Sequence, residues 1–309
     1  MTGAAPLSPE AWRTRGELLP WRGEQIFHRS EGRGEALLLL HGFPTSSWDW
    51  KQLWSELGRE AQVIAFDYVG FGFSSKPRAG PYSIFSYADE AEAVLGHHGV
   101  SKVHLLAHDL GDTVAQELLA RALERRKGSR PGAVSIASVC MLNGGVFPEL
   151  HRPRPLQRLL NSPLGPVISG MLNQARFQRA FKEVFGPDTQ PGREELAGFW
   201  ECMDWNHGTR NYHLLIRYMR ERRRHRDRWV DALLDPSIPL CFIDGLVDPV
   251  SGAHVLERLR ERRPDAITHP LPGIGHYPQT EAPLLVLDAY RSFRRSLGGT
   301  QSGASAGHR

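Results

Sequence analysis

Short apolar runs that end in a turn recur along this chain, and they constrain its fold more than any other feature. Stretches of helical length, such as Thr113 to Arg126, separate several of these runs and carry apolar residues at helical spacing. Nearly continuous apolar strands that alternate with helices are typical of a mostly parallel sheet covered by helices on both faces. We therefore predict an α/β fold. The apolar runs occupy residues 36–40, 63–66, 103–107, 134–142 and 239–243.

The alternation of strand and helix stops after Asn143-Gly144-Gly145 and resumes at Pro239. The intervening chain is rich in arginine and aromatic residues and has no apolar run of strand type, which predicts a helical insertion. The end of the chain is Gly- and Ser-rich without a large apolar residue, which is typical of a disordered tail. The predicted division is a core formed by residues 1–145 and 235–297, a helical cap formed by residues 146–234, and a tail at residues 298–309.

Composition excludes several classes of protein. Three cysteines that lie far apart without a C-x-x-C pair argue against a disulfide scaffold and a zinc site, and favour a reducing compartment. Neither an uninterrupted apolar window of about 18 residues nor the apolar core of a signal peptide occurs, so we expect no membrane partner and a cytoplasmic location. A formal net charge of +4 over 309 residues gives no reason to expect nucleic acid as a partner.

Polar residues follow three of these runs, at 36–40, 103–107 and 239–243, and also follow the short segment Thr268 to Leu271. Active sites of open parallel sheets form at the carboxyl ends of the strands, so these turns are expected to meet. In the turn Ala107-His108-Asp109-Leu110-Gly111, small residues flank a central carboxylate, as a nucleophile elbow requires. Asp248 and His276 lie in two of the later turns. Their order along the chain matches the nucleophile, acid and histidine of an α/β-hydrolase.

Other motifs give no support to competing chemistry. The pattern G-x-S-x-G occurs only at residues 303–307, where no strand precedes it, so a serine esterase is not predicted. Gly70-Phe71-Gly72 lacks the third glycine of a dinucleotide fingerprint. H-E-x-x-H is absent, and His97-His98 has no partner at ligand spacing. We expect neither a metal nor a cofactor.

Five segments carry a resemblance to a known family: HGFPTSSWDW at 41–50, DYVGFGFSSKP at 67–77, AHDLGD at 107–112, LVDPV at 246–250 and GIGHYP at 273–278. They resemble the epoxide hydrolase and haloalkane dehalogenase branch of the α/β-hydrolase superfamily, over roughly residues 20–295. Within that branch, YSIFSYADE, NGGVFPELHRP and RRHRDRWVDAL are similar to segments of the mesoderm-specific transcript group.

The resemblance implies a two-step hydrolysis, with an epoxide as the expected substrate and a vicinal diol as the product. Asp109 would attack a carbon atom and form an alkyl ester with the enzyme. His276, oriented by Asp248, would then activate the water that hydrolyses this ester. The backbone N–H groups of Phe43 and Leu110 match the oxyanion hole of the family.

Opening an epoxide also needs a proton donor, which this family supplies from tyrosines of the cap. The predicted cap contains only Tyr212 and Tyr218. Their separation of six residues corresponds to about 240° around a helix, so one regular helix would not direct both at the nucleophile. Tyr218 is the first choice and Tyr212 the second, and His207 or His213 is an alternative second donor.

Three alternatives stay open at this point. Dehalogenation needs side-chain N–H donors for the halide, but Leu110 and Phe43 occupy the two matching positions, and Trp48 and Trp50 are the remaining candidates. A fold that is not catalytic is the second alternative. The third is anion or nucleic-acid binding through the seven arginines between residues 217 and 228, a run that we interpret as a solvated helix face. The expected partners are a small apolar substrate and water, and a homodimer is left open.

Overall fold

One eight-stranded sheet organises the molecule in the computed structural model, which describes residues 7–128 and 134–299. From one edge to the other, the strand order is β1-β2-β4-β3-β5-β6-β7-β8. The strands are β1 (Glu17–Trp21), β2 (Glu24–Glu31), β3 (Ala36–Leu40), β4 (Gln62–Phe66), β5 (Lys102–His108), β6 (Ser135–Leu142), β7 (Leu240–Gly245) and β8 (Ile267–Leu271).

Helices make up much of the chain between the strands of the sheet. Those interleaved with the first six strands are α1 (Pro9–Thr14), α2 (Trp54–Gly58), α3 (Ile84–His97) and α4 (Leu110–Gly128). Between β6 and β7 lie α5 (Pro155–Leu160), α6 (Gly165–Gly170), α7 (Gln174–Lys182), α8 (Arg193–Asp204), α9 (Tyr212–Leu215), α10 (Tyr218–Arg224) and α11 (Arg226–Leu234). The remaining ones are α12 (Ala253–Arg262), α13 (Pro278–Glu281) and α14 (Pro283–Gly299), and 3₁₀ helices span Ser47–Trp50 and Trp205–Asn211.

The predicted α/β architecture is confirmed by the pairing of the strands. From β4 to β8 every neighbouring pair in the sheet is parallel. All five residues of β3 are buried, as expected for a strand covered on both faces. The predicted apolar runs coincide with five of the strands to within about two residues.

The first two strands were not predicted, and their position at the sheet edge explains why. β1 pairs with β2 in antiparallel fashion, and β2 pairs in the same way with β4. β1 contains Leu18, Leu19 and Trp21, but each of its residues is half-buried or exposed and Pro20 lies within it, which is typical of an edge strand rather than of a buried one. The turn between the two strands uses Arg22 and Gly23, both with positive φ, a signal that the sequence does not make obvious.

The chain between β6 and β7 contains helices joined by loops and no strand, as predicted. Its last helix, α11, packs along α4 of the sheet domain and so fixes one side of the segment to the core. We call residues 146–234 the helical segment. Its role as a cap, with the boundaries given above, stays a prediction.

Two further expectations concern the ends of the chain and membranes. The G-x-S-x-G match and residues 300–309 of the predicted tail lie outside the described residues. Among the helices of residues 7–128 and 134–299, none combines the length and the apolar character needed to cross a bilayer.

Candidate active site

Asp109 occupies a tight turn between β5 and α4 at the carboxyl end of the sheet. Its φ of 48° lies in the left-handed region, which non-glycine residues rarely adopt. A Cβ at Gly111, the second residue of α4, would lie only 2.3 Å from the carbonyl oxygen of Leu40 at the end of β3. Glycine at this position therefore lets the helix approach the strand, and the turn directs Asp109 toward the edge where the site forms.

Replacing Gly111 with alanine tests this packing. The new Cβ meets backbone, which cannot rotate away, so we expect a loss of about 2–3 kcal/mol in the free energy of unfolding. Gly96→Ala is the matched control, because this helical glycine has no neighbour within 4 Å of an added Cβ, and we expect a gain of up to about 1 kcal/mol. Urea unfolding measures both, and equal midpoints for the two variants would contradict this account of the turn.

The two carboxylate oxygens of Asp109 have different neighbours. The backbone N–H of Phe43 donates to Oδ2 at 3.0 Å. Oδ1 lies 3.6 Å from Nη2 of Arg222, which is itself only 2% exposed. Leu110 directly follows Asp109 as the first residue of α4, where N–H groups have no partner within the helix. The structure thus brings both predicted oxyanion-hole residues beside Asp109, and a hydrogen bond to the carboxylate is recorded from Phe43.

Asp248 and His276 form a buried pair. Nδ1 of His276 lies 2.7 Å from Oδ2 of Asp248. The carboxylate also accepts hydrogen bonds from the backbone N–H of Val250 at 2.7 Å, from that of Ser251 at 3.1 Å and from the side-chain amide of Asn143 at 3.0 Å. These donors fix the carboxylate, and the carboxylate in turn orients the imidazole.

Charge rather than burial decides the protonation of these three groups. Burial disfavours the imidazolium of His276, but the charges of Asp248 and Asp109 outweigh it and raise its pKa to about 9. Burial also disfavours both carboxylates, but His276 holds the pKa of each below its ordinary value. Asp112 behaves oppositely: burial and the charge of Asp109 raise its pKa well above the ordinary range. Asp109 is therefore the charged member of that neighbouring pair of carboxyl groups at neutral pH.

Both tyrosines of the helical segment lie at the site, on two different helices. The helix is interrupted between α9 and α10, so the two residues do not share one regular helix. Their ring centroids lie 5.6 Å (Tyr212) and 5.8 Å (Tyr218) from that of Phe43. The hydroxyl of Tyr212 donates to the carbonyl oxygen of Pro44 at 2.8 Å. The hydroxyl of Tyr218 is buried without a hydrogen-bond partner among the described residues, and the charge of Asp109 adds to burial in raising its pKa.

The histidines proposed as alternative donors are not brought to Asp109. His207 is exposed, and His213 is half-buried with its Nδ1 3.1 Å from the carbonyl oxygen of Arg210. Sequence reasoning instead missed His151, whose two ring nitrogens are shielded from solvent without a partner in the described chain. Burial and the charge of Arg222 lower its pKa to about 3, so the ring is neutral. The one available signal was its position shortly after the turn that ends β6.

The arginine run is not a uniformly solvated face, and that interpretation is wrong for Arg222. Arg223 and Arg224 are exposed, whereas Arg222 points inward from α10. Arg226 pairs with Glu149 at 2.7 Å, and Arg228 pairs with the buried Glu117 at 2.7 Å. Arg226 therefore fastens two parts of the helical segment to each other, Arg228 fastens the segment to α4, and Arg222 enters the site.

An apolar pocket leads to His276 between the sheet domain and the helical segment. Such a lining favours an apolar substrate. The wall includes Phe43, Leu160, Phe177, Phe181, Trp200 and Tyr212.

A second cluster could hold a cation elsewhere in the molecule. Glu17 and His28 are cross-strand partners in β1 and β2, and His97 ends α3. One potential ligand atom from each lies within 4.8 Å of the others. Nε2 of His98 also lies 3.2 Å from Nδ1 of His28. Sequence spacing did not reveal this grouping because its members come from three elements.

Comparison with known proteins identifies the family to which this chain belongs. A family model described as alpha/beta hydrolase fold matches residues 35–283. The chain belongs to this family. It is 43% identical over 304 residues to the mesoderm-specific transcript homolog protein of Bos taurus, a match that covers 94% of this chain and 90% of that protein. It is 41% identical over 283 residues to LipZ of Mycobacterium tuberculosis (strain ATCC 25618 / H37Rv), which covers 91% and 96%.

Solved structures show the same fold. The epoxide hydrolase CorEH superposes with a TM-score of 0.70 at 20% identity, over 91% of this chain and 99% of that one. The haloalkane dehalogenase DatA from Agrobacterium tumefaciens C58 superposes with a TM-score of 0.75 at 17% identity, over 91% and 96%. The predicted membership of the α/β-hydrolase superfamily and the likeness to mesoderm-specific transcript proteins are confirmed.

Proposed function

We propose that this α/β-hydrolase converts epoxides to vicinal diols through an ester between the substrate and Asp109. The observation that carries the proposal is the placement of a carboxylate, rather than a serine, at the strand-to-helix turn, with the His276–Asp248 pair beside it. The Phe43 N–H group holds Oδ2 of that carboxylate, which leaves Oδ1 for attack. An apolar pocket that reaches His276 suits a small apolar substrate.

In the first step, Oδ1 of Asp109 forms a bond to an epoxide carbon, and the bond from that carbon to the ring oxygen breaks. The ring oxygen keeps the electron pair and takes the proton of the Tyr218 hydroxyl. That hydroxyl is the free phenolic donor among the two tyrosines at the site, since Tyr212 donates to Pro44. A neutral alkyl ester and the phenolate of Tyr218 result.

In the second step, His276 removes a proton from water, and the resulting hydroxide adds to Cγ of Asp109. Negative charge then develops on Oδ2, where the Phe43 N–H group already lies at 3.0 Å. Collapse breaks the bond between Cγ and the ester oxygen, which leaves on the diol with one proton of the water. The other proton restores the Tyr218 hydroxyl, so the cycle closes with the Asp109 carboxylate regenerated.

Haloalkane dehalogenation is the second candidate, and the donors at the site favour it less. A leaving halide needs N–H donors, but the side chains of Phe43 and Leu110 have none. The indole N–H of Trp48 already donates to the carbonyl oxygen of Leu7 at 2.8 Å, and that of Trp50 has no partner among the described residues but is fully buried in the core. An oxygen leaving group, by contrast, finds the unpartnered hydroxyl of Tyr218.

A substrate pair tests the proposal directly. Racemic styrene oxide and 1,2-dibromoethane are incubated with the wild-type protein, and diol and free bromide are measured. We expect diol formation that exceeds bromide release. Bromide release without diol would favour dehalogenation, and neither product, together with no mass adduct on the protein, would favour a fold without this catalysis.

The two tyrosines provide a matched pair of variants. Tyr218→Phe removes the proton donor, so we expect epoxide turnover to fall by roughly 10²- to 10⁴-fold. Tyr212→Phe removes one hydrogen bond to a backbone carbonyl, so we expect a change of less than about tenfold in the same assay. Diol formation at saturating styrene oxide measures both. The reverse ranking would assign the donor to Tyr212.

A further inference from the structure

Arg222 links the helical segment to the nucleophile. Its Nε donates to Oγ1 of Thr113 at 2.7 Å, and its Nη2 donates to the carbonyl oxygen of Asp109 at 3.2 Å. The same Nη2 lies 3.6 Å from Oδ1, the oxygen assigned to attack. A buried cation at this distance stabilises the charged carboxylate and so reduces its reactivity, a cost that calls for a compensating role.

Three buried polar groups, one on this guanidinium and two near it, have no hydrogen-bond partner among the described residues. They are Nη1 of Arg222, the hydroxyl of Tyr218 and the ring nitrogens of His151. Tyr218 and Arg222 are four residues apart on α10, and the guanidinium carbon lies 4.8 Å from the centroid of the Tyr218 ring. A native protein rarely leaves several adjacent donors unsatisfied, so this cluster is expected to hold ligand atoms.

Gly145 shows that the chain makes room for the cluster. A Cβ at this position would lie 2.4 Å from Nη1 of Arg222 and 2.9 Å from Nδ1 of His151. The two side chains therefore converge over a glycine, in the turn where the sheet domain passes into the helical segment. The guanidinium of Arg222 is close enough to Asp109 for its charge to lower the pKa of the carboxylate.

The first step of the proposed reaction changes the charge that faces Arg222. Attack turns the Asp109 carboxylate, the ion-pair partner recorded for Arg222 among the described residues, into a neutral ester. The guanidinium would then be buried without a countercharge, which is strongly unfavourable. A negative oxygen beside Nη1 removes this penalty. The negative charge of Asp109 that faced Nη2 is then replaced by the negative charge of the leaving oxygen that faces Nη1.

We propose that Arg222, with Tyr218 and His151, forms the site that binds the leaving oxygen, and that Arg222 is a further catalytic group of the ester-forming step. This inference rests on the proposed function. Nη1 donates to the ring oxygen as the carbon–oxygen bond breaks. After the proton transfer from Tyr218, the guanidinium pairs with the phenolate that remains. The site therefore takes electrophiles whose leaving atom is an oxygen that gathers charge.

The test compares leaving groups in the His276→Gln background, where the ester accumulates. The rate of ester formation is followed by intact mass with styrene oxide and with 1,2-dibromoethane. Arg222→Met is expected to slow ester formation from the epoxide by about 100-fold. Bromide is a weaker hydrogen-bond acceptor, so ester formation from 1,2-dibromoethane should slow by no more than about tenfold. Arg223→Met is the matched control, because this neighbour is exposed, and its rates should equal those of the parent.

The outcomes separate the two proposals. If the parent forms an ester and Arg222→Met slows neither probe, or slows both equally, Arg222 only positions Asp109 and the leaving-oxygen site is overturned. If the parent forms no ester with either probe, the proposed function itself fails and this inference falls with it.

A binding measurement avoids dependence on turnover and on the folding of a single variant. Asp109→Asn mimics the neutral ester, so its Arg222 should bind a small oxyanion. Sodium formate is expected to raise the thermal midpoint of Asp109→Asn, relative to sodium chloride at equal ionic strength, and to leave those of the wild type and of Asp109→Asn/Arg222→Met unchanged. No shift in Asp109→Asn, or an equal shift in the double variant, would overturn the site.

Discussion

His276→Gln is expected to convert the enzyme into a form that stops at the covalent ester. Glutamine accepts no proton under these conditions, so the water is not activated, whereas attack by Asp109 does not require the imidazole. We expect ester hydrolysis to fall by roughly 10²- to 10⁴-fold. After incubation with styrene oxide, intact mass spectrometry should show protein shifted by the mass of one substrate molecule, located on the peptide that contains Asp109.

The pH dependence of the wild-type protein provides the control for this assignment. The pKa of His276 is about 9 in the resting enzyme, partly because of the charge of Asp109. Ester formation removes that charge, so the pKa of His276 falls. Hydrolysis needs the neutral imidazole and should therefore rise with pH and level off below 9. An ester that decays equally fast in His276→Gln, with the same pH dependence, would contradict the role of His276.

Asp109→Asn is expected to abolish turnover. An amide is a poor nucleophile, and no other carboxylate among the described residues occupies the turn, so we expect a loss of about 10⁴-fold or more in diol formation. Asp112→Asn is a closely matched control. Asp112 is a buried carboxyl group three residues away whose raised pKa keeps it neutral, and asparagine resembles that neutral form. Its turnover should stay within about tenfold of the wild type.

The result for Asp112→Asn distinguishes the nucleophile from its neighbour. Equal losses in both variants, with unchanged urea midpoints, would indicate that the two carboxyl groups act as a pair. Wild-type turnover in Asp109→Asn would contradict nucleophilic attack by Asp109.

The parts of this molecule that could be predicted from sequence are those encoded locally. The apolar runs specify β3 to β7 because each of these strands is buried on both faces. The turn around Asp109 could be identified because its conformation requires small neighbours. A Cβ added at Gly111 would lie 2.3 Å from the backbone carbonyl oxygen of Leu40. Parallel strands then bring the turns that carry Asp109, Asp248 and His276 to one edge without further information.

The parts that could not be predicted depend on contacts between distant segments. Arg222 points inward because it lies on the buried face of α10, one turn after Tyr218, and because it donates a hydrogen bond to Thr113, a contact that a run of arginines does not reveal. Both tyrosines contact Phe43 because α9 ends before Tyr218, so the two residues lie on separate helices. The spacing of the tyrosines in the sequence does not reveal where α9 ends. His151 is defined only by what surrounds it, and the edge strand β1 is defined by its antiparallel pairing with β2.

A single turnover in ¹⁸O-labelled water tests the central claim most directly, with enzyme in excess over styrene oxide. Water adds to Cγ of Asp109 in the proposed mechanism, so the label should remain in the peptide that contains Asp109, while the diol released in this first turnover carries none. Label in the diol, with none in that peptide, would mean that water attacks the epoxide directly and would contradict the covalent mechanism.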